Sequence, residues 1–222
     1  MRLQKPLVIA LDGPSGAGKG TISRAIAERL GYRHVDTGAM YRAVAWLALE
    51  RGVPFDDEPA VAALAETARL RVEPDRIAID GHDVTAAIRT PEMDRAAARV
   101  ARIPAVRRVL VARQRALGAG GGIVMEGRDI GTVVFPGADL KIYLDADPAE
   151  RARRRATDPA HAGSQGPLTA VAESMADRDR SDATRATSPL TAAPDAIRID
   201  TTGVAIQAVV EQVLALARER SG

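Results

Sequence analysis

Cysteine is absent from the sequence, which removes disulfides, zinc–thiolate sites and thiol nucleophiles together. Aromatic residues are almost as scarce. One tryptophan, three tyrosines and two phenylalanines in 222 residues leave few platforms for stacking along a nucleic-acid strand. An excess of one charge is missing too: 31 basic and 29 acidic residues give a formal net charge of +2. That balance offers no electrostatic footprint for gripping a nucleic-acid polymer. No run approaches the roughly 18 apolar residues that would span a membrane. The opening "MRLQKPLVIALDG" has too short an apolar core for a secretion signal, so the expected compartment is the cytoplasm.

What is present is ordinary globular composition, 46% hydrophobic and 27% charged, in a length that suits a single domain with inserted lobes. Lysine is confined to Lys5, Lys19 and Lys141, and every other basic residue is arginine. Coding bias explains the arginine excess more readily than a need for planar phosphate-binding forks does. Position alone separates the two readings. Lys19 is a rare residue type standing where a phosphate loop requires it.

That loop is "GPSGAGKGT", Gly13, Pro14, Ser15, Gly16, Ala17, Gly18, Lys19, Gly20 and Thr21. It approaches the pattern G-x-x-x-x-G-K-[ST], with glycine in place of the final hydroxyl and Thr21 one step late. A continuous apolar run, Leu7 to Leu11, precedes it and reads as a strand buried on both faces. The stretch "KGTISRAIAERLG" follows with helical spacing at Ile22, Ala25, Ile26 and Leu30. In that setting backbone N–H groups cradle phosphate oxygens, the helix adds its positive end, and Lys19 meets the transferring group. Gly20 cannot touch Mg²⁺, so the metal is expected to arrive with the nucleotide and be held by water and phosphates, with no dedicated protein cage.

Further apolar runs at 33–35, 123–125, 140–144 and 197–199 alternate with helical stretches. Five strands in that rhythm predict an α/β fold, an open five-stranded parallel sheet with right-handed crossovers. Residues 57–117 break the rhythm. They hold a helix, a hairpin with strands around Leu70/Val72 and Ile77/Ile79 joined at Pro74-Asp75, and two helices divided at Ile103-Pro104. This reads as an inserted lobe. The polar run "TDPAHAGSQGP" (157–167) is either a mobile lid or an idle surface loop.

Three segments narrow the second substrate: "DTGAMYR" (36–42), "EGRDIGTVVFP" (126–136) and "RDRSDATRATSPL" (178–190). The first two follow strands and so fall at the carboxyl edge of the sheet, where ligands bind in open α/β folds. With the loop, they resemble the bacterial cytidylate kinases, members of the nucleoside monophosphate kinases that phosphorylate CMP and dCMP. The resemblance runs from about Leu7 to Arg218. It implies a P-loop three-layer sandwich with a core of 1–36, 105–150 and 175–222, an acceptor-binding lobe at about 37–104, and a lid at about 151–174. It implies an enzyme that moves the γ-phosphoryl group of Mg-ATP to CMP or dCMP. A monomer is expected, since the pattern leaves no exposed apolar helix face over.

Residue by residue, the resemblance places Arg42, Arg128 and Arg185 on the acceptor phosphate. Arg107 and Asp129 fall on cytosine-reading positions with Thr37 nearby, and Arg178 and Asp182 face the sugar. Arg154 and Arg155 match arginines that close over the ATP phosphates. Lys19, Arg128 and Arg185 are the expected catalytic group. The position of Ala98 carries a serine hydroxyl near the base in family members, and alanine cannot make that contact. Bland readings stay open beside these. Asp129 can be a helix N-cap, and Arg151, Arg153, Arg154 and Arg155 can be a solvated helix face. His34, His82 and His161 show no metal-ligand spacing and are expected to do nothing specific.

The physics of the acceptor agrees with the resemblance. Cytosine offers an amine donor where uracil has a carbonyl, so a carboxylate with an arginine can tell them apart. A phosphate oxygen is already ionised at neutral pH, so no general base is needed. Two competing classes lack support in the residues. An adenylate- or shikimate-type kinase would lack "EGRD" and "RDRSDATR" together with a hairpin lobe. A nucleotide switch would carry a hydroxyl after the loop lysine and an N-K-x-D motif.

Overall fold

The structure is a computed structural model and describes residues 3–73, 75–158, 167–185 and 187–222. The chain opens with β1 (Val8–Asp12), the glycine loop, α1 (Lys19–Leu30), β2 (Arg33–Asp36) and α2 (Thr37–Glu50). Next come α3 (Glu58–Thr67), three short strands β3 (Leu70–Val72), β4 (Ile77–Ile79) and β5 (His82–Asp83), then α4 (Pro91–Val100) and α5 (Pro104–Gly118). It continues with β6 (Ile123–Gly127), a π-helical turn (Ile130–Val134), β7 (Leu140–Asp145), α6 (Pro148–Thr157) and α7 (Leu168–Ala183). Strand β8 (Ile197–Asp200) and α8 (Ile206–Ser221) close it.

Five strands form one sheet in the order β2-β6-β1-β7-β8, every neighbouring pair parallel. The α/β expectation therefore holds. Strand β1 is central, and alternation sends its side chains to opposite faces. Leu7, Ile9 and Leu11 pack with Ile22, Ile26 and Leu30 of α1 and Val209, Val213 and Leu214 of α8. Ala10 faces the other layer, with Val35, Met125 and the apolar side of α2. Burying each of those large aliphatic side chains contributes about 1.5–3 kcal/mol, which is why β1 reads as an unbroken apolar run.

The hairpin of 70–79 is present as β3 and β4, and β5 adds a third antiparallel strand. A two-residue strand carries too little periodicity to be seen in sequence. Val72, Ile79, Val84 and Ile88 join the core that also holds Met125 and Ile123 of the main sheet. Thr90 caps α4 by accepting from Met93 N at 3.2 Å, and Asp36 caps α2 through Ala39 N at 3.1 Å. Pro74 and most of the polar loop 157–167, namely 159–166, lie outside the described residues, as does His161.

The register pairs Asp12 with Gly127 and Asp36 with Glu126, so the carboxyl ends of β1, β2 and β6 finish side by side. Gly13 then turns the chain at φ +148°, and a β-carbon there would lie 2.0 Å from the Leu144 carbonyl oxygen. Gly13→Ala is expected to lower stability by on the order of 3 kcal/mol or more. Urea unfolding measures it, and a loss below about 1 kcal/mol would mean that the turn relaxes freely.

Candidate active site

The three strand ends open into a cavity of about 760 Å³. The glycine loop forms one end. Gly16 (φ +75°) and Gly18 (φ +87°) hold left-handed conformations, and a side chain on Gly16 would meet the Arg151 carbonyl at 2.8 Å. Helix α1 starts at Lys19 with no side-chain cap, which leaves its first N–H groups for an anion. Ser15, Lys19, Gly20 and Thr21 line the cavity. Pro14 and Ala17 work from beneath it: the Pro14 carbonyl accepts from Lys19 Nζ at 2.7 Å, and that of Ala17 accepts from Thr201 Oγ1 at 3.3 Å.

Burial, then repulsion from Arg128 and Arg178, pulls the Lys19 ammonium down to about 7. Incoming phosphates reverse this, because they supply the negative charge that the buried ammonium lacks. Below pH 7 free Lys19 is already protonated and binding ATP needs no proton for it. At pH 8 it is mostly neutral, so ATP binding takes up about one proton. Calorimetry in buffers of differing ionisation enthalpy reads this directly. Buffer-independent heats at pH 8 would refute it.

Glu126, at the end of β6, is a cavity-lining residue that the sequence reading passed over. A β-carbon on Gly20 would lie 3.4 Å from Glu126 Oε1, so glycine there leaves room for the carboxylate. Ser23 Oγ donates to it at 3.2 Å, and His34 Nε2 lies 3.1 Å away. His34, expected to be idle, is buried in this cluster, whereas His82 only meets Trp46 at the lobe surface. The signal was available in the "E" of "EGRD", but its partners are 103 and 92 residues distant.

Asp12 holds the next segment. Its two oxygens accept from Ile130 N at 2.8 Å and Gly131 N at 2.7 Å. Burial still raises its carboxyl to about 6 against those bonds. The π-helical turn pinned in this way presents Arg128 and Asp129. Asp129 sits at the turn's N-terminus but makes no side-chain cap bond; it pairs with buried Arg107 instead. Arg107 in turn lies over the Tyr41 ring at 5.7 Å, and burial pushes the Tyr41 hydroxyl up to about 12. Ala97, Ala98 and Ala101 also line the cavity. Thr37 Oγ1 donates to the Glu126 carbonyl at 2.7 Å, joining β2 to β6.

The remaining arginines crowd the space between. Arg128 Nε donates to Asp182 Oδ2 at 2.8 Å, and Arg185 Nη1 stands 3.8 Å from Asp182. Burial would raise the Asp182 carboxyl, but Arg128 and then Arg185 and Arg178 outweigh it and hold it low. Arg42 donates to Asp36 at 2.8 Å. Several buried donors find no acceptor among the described residues: Nε and Nη2 of Arg185, Nε of Arg42 and Nε of Arg178. Unpaired buried guanidinium donors are costly, and a cavity that collects them is built for a polyanion.

The arginine run of α6 does not behave as one solvated face. Arg153 alone is exposed, 63% accessible and paired with Glu150. Arg151 donates to the Ser15 carbonyl at 3.1 Å and pairs with Asp179. Arg154 donates to the Thr201 carbonyl at 2.7 Å, near the apolar wall of Val204 and Ile206. Arg155 turns the other way, to Asp94. The two arginines expected together over ATP therefore face different partners.

Residues 9–219 match the family model described as cytidylate kinase. The chain belongs to the cytidylate kinase family. A cytidylate kinase of Solibacter usitatus is 49% identical over 98% of this chain and 94% of its own length. One from Geobacillus kaustophilus is 45% identical over 99% of this chain and 100% of its own. A shikimate kinase from Acinetobacter baumannii, solved with shikimate, superposes with a TM-score of 0.50 at 16% identity, covering 96% of this chain and 94% of that one. That likeness is one of fold. Family membership brings with it phosphoryl transfer from ATP to CMP, and the resemblance carried by the loop, "EGRD" and "RDRSDATR" is borne out.

Proposed function

We propose that the cavity works as a two-ended (d)CMP kinase site, with ATP on the glycine loop and the acceptor against α4, α5 and α7. The observation that carries this is the set of buried arginine donors with no acceptor among the described residues, lining the same cavity as the phosphate loop and the Arg107–Asp129 pair. The loop amides of Gly13 to Thr21 and Lys19 take the ATP phosphates, and Arg154 borders the donor end. Val204 and Ile206, exposed yet lining the cavity, suit the flat face of a purine. Arg107 and Asp129 read the cytosine edge, with Thr37 fixing the strand beside them. Arg178 and Asp182 lie on the sugar side, and Arg42, Arg128 and Arg185 hold the acceptor phosphate. Residues of about 37–104 act as the acceptor lobe, about 151–174 as the lid arm, and the rest as the core.

Mg²⁺ fits the donor end. Glu126 offers a hard oxygen ligand beside Gly20, which suits a cation held by one carboxylate, water and phosphates. When bound, the metal neutralises charge on the nucleotide phosphates. This chain's own residues do the rest by position. They bring two polyanions together, align acceptor oxygen and phosphorus, and exclude competing water. No side chain need remove a proton, so Asp129 and Asp182 serve recognition.

Among the described residues no helix is long and apolar enough to cross a membrane. The cytoplasm, where free nucleotides are available, is the compartment we propose. A monomer is the form we propose, because the exposed large apolar residues Leu49, Leu168, Val204 and Ile206 are scattered and two of them line the cavity. The test is ADP formation from Mg-ATP with CMP, dCMP, UMP, AMP or no acceptor. Turnover with CMP and dCMP far above the others is expected. Equal turnover with UMP would refute the base assignment, and turnover independent of acceptor would refute the site as a whole.

A further inference from the structure

Asp94 on α4 is buried and meets arginines from three other helices. Arg178 Nη1 of α7 is 2.9 Å from its Oδ1, and Arg42 Nη1 of α2 is 3.7 Å from the same oxygen. Arg155 Nη2 of α6 donates to Oδ2. All three arginines line the cavity, whereas Asp94 does not. The carboxylate thus stands behind the cations. Without it, three guanidiniums would face one another in a buried space, where like charges repel strongly. Burial works against the Arg155 charge, Arg178 and Arg42 add to that, and Asp94 opposes them. Asp36 pairs with Arg42, while Arg155 and Arg178 both pair with Asp94.

We propose that Asp94 is a positioning residue for the transfer: it gathers Arg42, Arg155 and Arg178 at the cavity wall and couples the acceptor lobe to α6 and α7. The inference rests on the proposed reading of Arg42 as a clamp on the acceptor phosphate, and adds Arg155 and Arg178 to the cations held beside that phosphate. Its physical content is preorganisation. Arginines already held in place bind a phosphate without the ordering cost that free side chains carry, and keep their alignment as charge moves. Asp94 touches neither nucleotide and acts through the arginines.

The test separates phosphate binding from base binding by comparing CMP with cytidine. Wild-type protein should prefer CMP strongly. In Asp94→Asn, which keeps the size and one acceptor but not the charge, that preference should fall about tenfold or more, and kcat by up to about a hundredfold. Cytidine affinity should fall far less, because Arg107 and Asp129 are untouched and only Arg178 of the three arginines reaches the sugar side. A preference for CMP that survives intact overturns the inference. So does an equal loss for CMP and cytidine, which is what a merely structural role produces. If wild-type protein itself shows no preference for CMP over cytidine, the underlying phosphate-clamp reading fails first.

A double-mutant cycle keeps the inference falsifiable if Asp94→Asn folds poorly. Arg155→Gln alone should reduce the CMP preference. Asp94→Asn with Arg155→Gln removes both charges of the closest pair, which eases folding, and the combined loss should be smaller than the product of the single losses. Should only Arg155→Gln and the double variant fold, the double variant should lose at least a further threefold in that preference, since Arg42 and Arg178 have also lost their anchor. A double variant equal to Arg155→Gln, or independent multiplying effects in a complete cycle, would overturn the inference.

Discussion

Lys19→Met is expected to lower kcat for CMP phosphorylation by about a thousandfold while leaving the protein at least as stable as before. The two effects share a cause. Lys19 is buried, and burial with the neighbouring Arg128 and Arg178 pulls its ammonium down to about 7. A charge in that position costs folding energy that methionine, of similar length, does not. The same charge is what the transferring phosphoryl group needs, because the chemistry contributes little covalent bonding for a protein to assist. The loss should fall on kcat more than on the KM for ATP, since the loop amides still bind the ground state. Steady-state kinetics and thermal melts on the same preparation decide it. A loss under tenfold, or one that follows a drop in melting temperature, would remove Lys19 from the catalytic group.

Asp129→Asn is expected to reduce kcat/KM for CMP by about a hundredfold or more and to collapse the preference for CMP over UMP. A carboxylate accepts from the cytosine amine and repels the carbonyl that uracil places there. Asparagine can turn its amide either way. The pair with Arg107 sharpens the effect, because Arg107 is buried and Asp129 is its described counter-charge. Arg107 would then hold base and ring face less firmly over Tyr41. The measurement is competition between CMP and UMP for one ATP pool. An unchanged ratio would assign Asp129 to structure alone. Ala98, which also lines the cavity, brings no hydroxyl of its own, so on this reading the Arg107–Asp129 pair carries the base discrimination.

The glycine loop shows how far local spacing can be read. Its lysine, its glycines and its flanking strand and helix are contiguous, so the motif is read without any tertiary partner, although the room that Gly13, Gly16 and Gly20 leave is set by Leu144, Arg151 and Glu126. The same holds for the carboxyl-edge position of Asp36 and of the "EGRD" segment, because a strand end is visible in an apolar run. The role of Asp129 was less legible. Helix-capping chemistry and base reading ask for the same residue; the structure shows no cap bond there and a pair with Arg107, 22 residues earlier, on the π-helical turn that Asp12 pins from 118 residues away.

The arginines mark the boundary. Their number was plain, and their division was not. A run of four on one short helix has the pattern of a solvated face, yet only Arg153 is one. Arg151, Arg154 and Arg155 are separated by the groups opposite them, Asp179, Thr201 and Asp94, which lie 28, 47 and 61 residues away. His34 and Glu126 are the same case in a different chemistry. The sequence by itself determined the fold class, the glycine loop and the segments that reach the cavity, because each is a local match of residue type to backbone geometry. Only the tertiary structure decided which charge faces which. Coulombic and hydrogen-bond partners are chosen by distance in space, and the sheet brings together residues that the chain keeps far apart.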